Sequence, residues 1–102
     1  MGLSTSQKTL HRFHRLALGI RVRDEKFGLL FYDRRGPKLT FLYSGQWIRS
    51  ELFSGEQHLK QWVRRQFSVL PEEKLLEAEK ALFRALSKLI EKGLIIETLA
   101  DS

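Results

Sequence analysis

One stretch of the chain, Phe27 to Gly45, constrains the fold more than any other part of the sequence. It contains two runs of bulky apolar and aromatic residues, separated by the polar, turn-forming residues 33–37. This pattern predicts a β-hairpin, because each run suits a strand and the residues between them suit a turn. Each run carries large apolar side chains at both odd and even positions, so neither face of the hairpin is polar. We therefore expect the rest of the chain to pack on the hairpin, which is marginal alone, with both faces covered or one kept for a partner.

Composition limits the chain to one modest domain. It has 102 residues, of which 42% are hydrophobic, as in a globular protein. The lack of cysteine excludes disulfides, an intrinsic iron–sulfur cluster and cysteine-rich zinc sites, and it fits a cytoplasmic protein. No apolar run approaches the ~18 residues of a membrane span. The N-terminus lacks the apolar centre of a signal peptide, so we expect no membrane partner.

The charge balance suggests an anionic partner. Eighteen Lys and Arg residues against twelve Asp and Glu residues give a net charge of +6. Nucleic acid, an acidic peptide and an acidic protein surface all fit this charge. The charges are spread along the chain, so a soluble domain that is merely basic fits equally well.

The segment before the hairpin carries a helical pattern. Leu10, Phe13 and Ala17 fall at helical spacing and indicate a short basic amphipathic helix. His11 and His14 are three residues apart, a spacing that can bind metal on a helix. With no carboxylate or cysteine near them, a metal site is disfavoured.

A strand and three helices are predicted around the hairpin. Residues 20–23 alternate between apolar and arginine side chains, which predicts a strand that completes a three-stranded antiparallel meander. Residues 47–52 indicate a first short helix, and Ser54–Gln57 matches a capping box for a second. Pro71 suits the start of a third helix, and Gly93 suits its end. Residues 94–96 then indicate a final short strand.

The third predicted helix has an unusually wide apolar arc. An arc this wide exceeds what one packing contact needs, so we expect the helix to contact two things. Glu79 falls inside the arc, where it either leans to solvent or lines a groove. The arc contains Leu75, Leu76, Leu82, Phe83, Leu86, Leu89 and Ile90.

Neither catalytic nor metal-binding groups form a recognisable set, which favours a binding module over an enzyme. Three histidines without cysteine leave little for nucleophilic or metal catalysis, and no glycine loop matches a phosphate site. A β-meander followed by three helices predicts an α+β, winged-helix-like fold. That architecture fits DNA binding through a recognition helix, or peptide binding by strand addition. The basic residues available for DNA are Lys60, Arg64 and Arg65 on the second helix, with Arg34 and Arg35 in the hairpin turn.

A set of residues in and beyond the hairpin stands in the order of a known family. These residues are Arg23, Glu25, Phe27, Gly28, Leu30 and Tyr32, then Leu39, Thr40 and Phe41, and finally Leu89, Gly93, Leu94 and Ile95. Through them the chain resembles the mycofactocin peptide chaperones (the MftB family), within the PqqD-like group of precursor-peptide recognition elements. The resemblance covers roughly residues 20–97. The strand motif is fairly specific to the family, and the helical part is generic.

The resemblance implies a fold, a domain organisation and a function. The fold would be a three-stranded antiparallel β-sheet followed by three α-helices. Residues 1–18 would be an N-terminal extension, partly disordered or a short helix, residues 19–97 the peptide-recognition domain and residues 98–102 a tail. The protein would be a non-catalytic chaperone in mycofactocin biosynthesis. It would bind the leader of a ribosomally made precursor peptide and present it to a radical S-adenosylmethionine maturase, which would carry the iron–sulfur clusters, leaving this chain without a cofactor.

The resemblance also implies a binding site. The leader would add as a strand beside the third strand of the meander and lie against the third helix. A winged-helix DNA-binding regulator is the alternative function, with nucleic acid the less favoured partner. The implied peptide-binding residues are Lys38, Leu39, Thr40, Phe41, Leu42 and Tyr43 on the strand, with Leu75, Leu76, Glu79, Leu82 and Phe83 on the helix.

Overall fold

The protein is an α+β fold with six strands and two α-helices in residues 10–101, the part that the computed structural model describes. The strands form two three-stranded antiparallel sheets, so the expected winged-helix-like order of three strands followed by three helices is wrong. In chain order the elements are β1 (Leu10–Leu16), β2 (Ile20–Glu25), β3 (Gly28–Asp33), β4 (Lys38–Leu42), a 3-10 helix (Ser50–Phe53), β5 (Ser54–His58), α1 (Leu59–Gln66), α2 (Glu72–Glu91) and β6 (Ile95–Asp101).

The predicted meander is present as the sheet β2-β3-β4. Two residues connect β2 to β3, and the polar residues 34–37 connect β3 to β4. The second turn is fixed by Asp33, whose carboxylate accepts hydrogen bonds from the backbone N–H and the guanidinium of Arg35 at 2.9 Å. These bonds hold the pKa of the Asp33 carboxyl below its usual value.

The other sheet, in the order β5-β1-β6, was not foreseen. The short amphipathic helix expected around Leu10–Ala17 is wrong, because residues 10–16 form the central strand of this sheet. Phe13 pairs with Thr98 of β6 on one side and with His58 of β5 on the other. Pairing along both edges satisfies the backbone of β1, and such tertiary pairing overrides a weak local preference for helix.

The segment between β4 and α1 also differs from the prediction. Only Ser50–Phe53 of the first expected helix is helical, as a single 3-10 segment. The capping-box match at Ser54–Gln57 is misleading, because these residues belong to β5 and pair with β1. The cap of α1 lies further on, at His58, whose Nδ1 accepts a hydrogen bond from the backbone N–H of Gln61 at 3.2 Å.

The long helix α2 begins and ends where the sequence predicts. It starts directly after Pro71 and carries acidic residues in its first turn, where they complement the helix dipole. Gly93, with a φ of 76°, ends it. The N–H of Gly93 donates to Ile90 and that of Leu94 to Leu89, closing the last turn. The strand expected at residues 94–96 is longer, and β6 runs to Asp101.

A single hydrophobic core joins both sheets and both helices. The buried apolar side chains are Ile20, Leu29, Phe31, Ile48, Leu52, Phe53, Leu59, Trp62, Val63, Leu75, Leu82, Leu86, Leu89, Leu94 and Ile95.

The N-terminal extension expected at residues 1–18 includes β1, while residues 1–9 and 102 lie outside the described residues. Neither helix in residues 10–101 combines the length and hydropathy that crossing a bilayer requires.

Candidate functional site

Within residues 10–101 no strand pairs with the outer edge of β4, and the direction of its backbone groups can be determined. The N–H of Arg34 donates to the carbonyl of Gly19 at 3.0 Å. In an antiparallel sheet such a bond flanks a non-hydrogen-bonded pair, so Ile20 and Asp33, which lie opposite each other, form a pair of this type. Asp33 therefore directs its backbone groups towards β4. Because alternate residues point to opposite sides, the backbone groups of Leu39 and Phe41 point away from β3, and those of residues 38, 40 and 42 point towards it.

A groove runs between β4 and α2. Its first lobe, of about 430 Å³, lies at the end of β4, and its second lobe, of about 340 Å³, lies along the strand. Leu42, Ala81 and Ala85 belong to both lobes, so the two form one continuous groove. The first lobe also contains Tyr43, Ser44, Gly45, Trp47, Ile48 and Leu82, and the second contains Thr40, Phe41, Arg84, Lys88, Leu89 and Lys92.

The first lobe is apolar, and its loop is held in place. Trp47 packs edge-on against Phe67, and its carbonyl accepts a hydrogen bond from the Trp62 indole at 2.8 Å. The Arg49 guanidinium donates to the carbonyl of Gly45 at 2.8 Å and to that of Glu25 at 3.1 Å. These bonds tie the loop after β4 to the core and to the β2–β3 turn. The lobe is therefore largely pre-formed.

The second lobe is cationic. Arg84 and Lys88 of α2 line it, with Lys92 directly after the end of that helix, and no salt bridge joins any of the three to another residue of the described chain. Ala81 and Ala85 have small side chains, which leave room for another backbone beside the helix. This lobe can therefore accept an extended chain that carries carboxylates.

The structure brings together only part of the helical wall that the resemblance implied. Leu82 lies at the groove, while Leu75 is buried in the core. Phe83 lies on the opposite flank of α2, because residues on a helix are about 100° apart and two steps separate it from Ala81. The guanidinium of Arg12 in β1 lies over the Phe83 ring, 4.4 Å from its centre.

The remaining implied residues divide between the groove and other surfaces. Thr40, Phe41, Leu42 and Tyr43 line the groove. Lys38 and Leu39 belong to the same strand, but neither contributes to either lobe. Leu76 is exposed and Glu79 half-buried, and neither lines the groove.

Sequence reasoning missed the groove face of α2. The residues implied as contacts of the peptide include neither Arg84 and Lys88 nor the alanines of this flank. The spacing of Ala81, Ala85, Lys88 and Lys92 places all four on one flank of a helix, and this was the available signal. Only the position of β4 shows which flank has a neighbour.

The histidines form a separate group in the other sheet. The rings of His11 and His58 stack with their centres 3.8 Å apart. His14 is fully buried, and burial lowers its pKa. Within residues 10–101, no three His, Cys, Asp or Glu side chains come together in a way that would hold a metal ion.

Three of the five basic residues considered for DNA lie on a short helix. α1 has eight residues, and both of its arginines are engaged with carboxylates. Arg64 pairs with Glu72 at 2.6 Å, and Arg65 pairs with Glu51 at 3.4 Å. A recognition helix would need these guanidinium groups to face phosphates or bases.

Neither family models, nor the sequences of curated proteins, nor solved structures yield a match to this chain. The function of this protein is therefore inferred from the geometry of the groove and from the residues of the strand motif.

Proposed function

We propose that this protein is a non-catalytic binding protein that takes up an extended peptide as an additional strand along β4. The peptide is the leader of a ribosomally made precursor, and a radical S-adenosylmethionine maturase modifies that precursor while the leader is held. The reaction and its iron–sulfur clusters belong to the maturase.

The observation that carries the proposal is the combination of a free edge and a groove. Leu39 and Phe41 direct unpaired backbone donors and acceptors outwards from the meander. A strand that pairs with them gains main-chain hydrogen bonds, and every second side chain of that strand then points towards the groove. The two small side chains Ala81 and Ala85 leave room for it beside α2.

The two lobes specify what such a peptide contains. The lobe beside Tyr43 and Trp47 suits a large apolar side chain. The lobe surrounded by Arg84, Lys88 and Lys92 suits Asp or Glu side chains. We therefore infer a leader with an apolar anchor and an acidic segment a few residues away.

The strand motif supports the choice of a precursor leader over other peptides. The residues that resemble the mycofactocin peptide chaperones include Leu39, Thr40 and Phe41, which form the middle of β4. The Phe27–Gly28 part of the motif lies beside the end of the same strand, since the N–H of Gly45 donates to the Phe27 carbonyl at 2.9 Å. Three of the residues that carry the resemblance, Thr40, Phe41 and Leu89, thus line the groove.

Proline substitution tests strand addition directly. Leu39→Pro removes an outward amide, so we expect leader affinity to fall roughly tenfold, the equivalent of about 1.4 kcal/mol, with little loss of stability. Leu39→Ala is the matched control and should keep its affinity. Thr40→Pro removes an amide that faces β3, so it should instead cost roughly 1–3 kcal/mol of folding stability. Calorimetric titration with the acidic leader and thermal unfolding measure the two effects. Wild-type leader affinity in folded Leu39→Pro would contradict pairing at this edge.

A salt series separates peptide from DNA. Duplex binding should weaken steeply between 50 and 200 mM salt, by ~10³-fold or more for a protein that contacts many phosphates. Leader binding should weaken less, because backbone hydrogen bonds and the apolar lobe contribute to it. A wild-type protein that binds duplex DNA and ignores the leader would refute the proposed function.

A further inference from the structure

The face of the meander that points away from the core carries an apolar patch that no other element of residues 10–101 covers. Four of its five members, here called the outer patch, alternate along β3 and β4 with the residues that face the core, and the fifth, Tyr43, directly follows β4. Exposure is 40% for Tyr32, 63% for Leu39 and 83% for Tyr43. The outer patch consists of Leu30, Tyr32, Leu39, Phe41 and Tyr43.

The register explains why these side chains share one face. Leu30 pairs with Phe41, and Tyr32 pairs with Leu39, so their side chains stand side by side. The rings of Phe41 and Tyr43 are in contact, with centres 4.4 Å apart. No member of the patch belongs to the core cluster, whereas the neighbouring Leu29 and Phe31 are completely buried. Soluble proteins seldom expose such a contiguous group without a use for it.

Two arginines border the outer patch and define its chemistry. Arg21 pairs with Tyr32 across the sheet, and Arg23 pairs with Leu30. Together with Leu39, these residues surround a shallow depression of about 390 Å³. Arg23 forms an ion pair with Glu25, while Arg21 forms none within the described part of the chain. The patch therefore suits a surface that presents apolar side chains beside carboxylates.

The outer patch and the peptide groove lie on adjacent sides of one strand. The backbone of Leu39 and Phe41 forms the free edge, and the side chains of the same two residues belong to the outer patch. A protein docked on this face would thus lie directly beside a peptide paired with β4. Presentation of a bound leader to an enzyme requires this arrangement.

From the patch, its arginines and its position we propose that the outer face of the meander is the docking surface for the maturase. The inference rests on the proposed function, and it assigns the enzyme an acidic and apolar contact region. A second copy of this chain is the less suitable occupant. A two-fold interface here would bring Arg21 and Arg23 of both copies together, and like charges disfavour that contact.

A double variant with a matched control tests the assignment. Tyr32→Asn with Arg21→Glu alters the outer patch at two side chains that lie outside β4 and outside the groove. Leu99→Asn with Arg15→Glu changes an exposed strand leucine and an exposed strand arginine in the other sheet, with the same change in net charge. The probe is a purified radical S-adenosylmethionine maturase of the mycofactocin type, immobilised and titrated with each variant, with and without the leader of its precursor peptide. We expect the first variant to bind the enzyme at least about tenfold more weakly, and the control to bind it as the wild type does.

Leader affinity and melting temperature distinguish a failure of the docking assignment from a failure of the proposed function. Leader affinity and the melting temperature of both variants should stay close to wild type, because the altered side chains point away from the groove. If the outer-face variant binds the enzyme as tightly as the wild type, the docking assignment is wrong and the proposed function is untouched. Failure of the wild-type protein to bind the leader refutes the proposed function. Failure of the wild-type protein to bind the enzyme, or a patch-dependent dimer in sedimentation experiments, refutes the docking assignment alone.

Discussion

His14 is a polar residue placed where an apolar one is expected. It lies in the middle of β1, is fully buried, and neither ring nitrogen has a hydrogen-bond partner in the described structure. Burial lowers the pKa of His14, the Glu97 carboxylate opposite it in β6 acts to raise the pKa, and Arg12 acts to lower it. The neutral imidazole is therefore the form that the fold favours.

The first residue-scale prediction concerns pH. The pKa of His14 is lower in the folded than in the unfolded state. The contribution of the neutral ring to the free energy of unfolding is therefore fully present above about pH 6.5, the pKa in the unfolded state. That contribution is lost as the pH falls through the folded pKa. His58, whose pKa is also lowered by burial, acts in the same direction. Urea unfolding at pH 7.5 and 5.5 should show a smaller loss of stability on acidification in His14→Leu than in wild type. An equal loss would show that His14 does not couple to folding.

Gly28 shows a steric reason for one residue of the strand motif. A Cβ atom at this position would lie 1.9 Å from the carbonyl oxygen of Leu42 and 2.9 Å from the nitrogen of Ser44. Both are backbone atoms at the end of β4 and cannot move aside as a flexible side chain would. Glycine is thus needed here for the close approach of β3 to the chain that forms the apolar lobe.

The second prediction is that Gly28→Ala destabilises the fold by about 1–3 kcal/mol, the cost of overpacking a closed site. Leader affinity should fall as well, because the end of β4 must shift. Gly36→Ala is the control, since nothing lies within 4 Å of a Cβ placed there. Thermal unfolding of both variants gives the comparison. Equal melting temperatures for the two variants would refute the steric argument.

At the scale of elements, α2 has different neighbours on its two flanks. One flank, with Phe83, packs towards β1, and the other, with Ala81 and Ala85, borders the groove. The sequence indicated an apolar arc too wide for one packing contact, and a second contact on the groove flank stays a prediction. The sequence could not indicate which flank would remain open, because both flanks carry apolar side chains and the position of β1 was unforeseen.

The third prediction reverses two groove charges. Lys88→Glu with Lys92→Glu should weaken binding of an acidic leader on the order of tenfold at low salt, since each surface charge contributes up to about 1 kcal/mol. Lys60→Glu with Arg15→Glu changes the net charge equally at exposed positions of α1 and β1 that do not line the groove, and it should have little effect. Titrations at 50 and 300 mM salt should show the difference shrinking as the charges are screened. A control pair as damaging as the groove pair would mean that net charge alone attracts the leader.

At the scale of the whole molecule, locally encoded features could be predicted and remote pairings could not. The meander, the turn at Asp33 and the limits of α2 each depend on neighbouring residues, and all were foreseen. β1 and β5 were not, because their strands are specified by partners far away in the sequence. The segment Ser54–Gln57 has the residue types of a helix cap, and only its pairing with β1 makes it a strand.

The same distinction limits what could be known of the site. The exposed edge at Lys38–Tyr43 follows from the hairpin and from the family resemblance. The cations of the groove depend on how α2 is rotated against the meander, and this in turn depends on the unforeseen sheet. Phe83, implied as a contact of the peptide, instead packs beneath Arg12 of β1.

The central position of β1 also has a consequence for synthesis. This strand leaves the ribosome before its partners, β5 and β6, and Arg12 meets Glu97 across a separation of 85 residues. Closing such a long loop costs conformational entropy before the contacts between the strands form, so it is slow. Folding of this sheet also cannot be completed until β6 has emerged. Until β5 emerges β1 presents two unpaired edges to other nascent chains nearby, and until β6 emerges it still presents one. A strand that is protected on both sides in the finished protein is therefore its most vulnerable segment during translation.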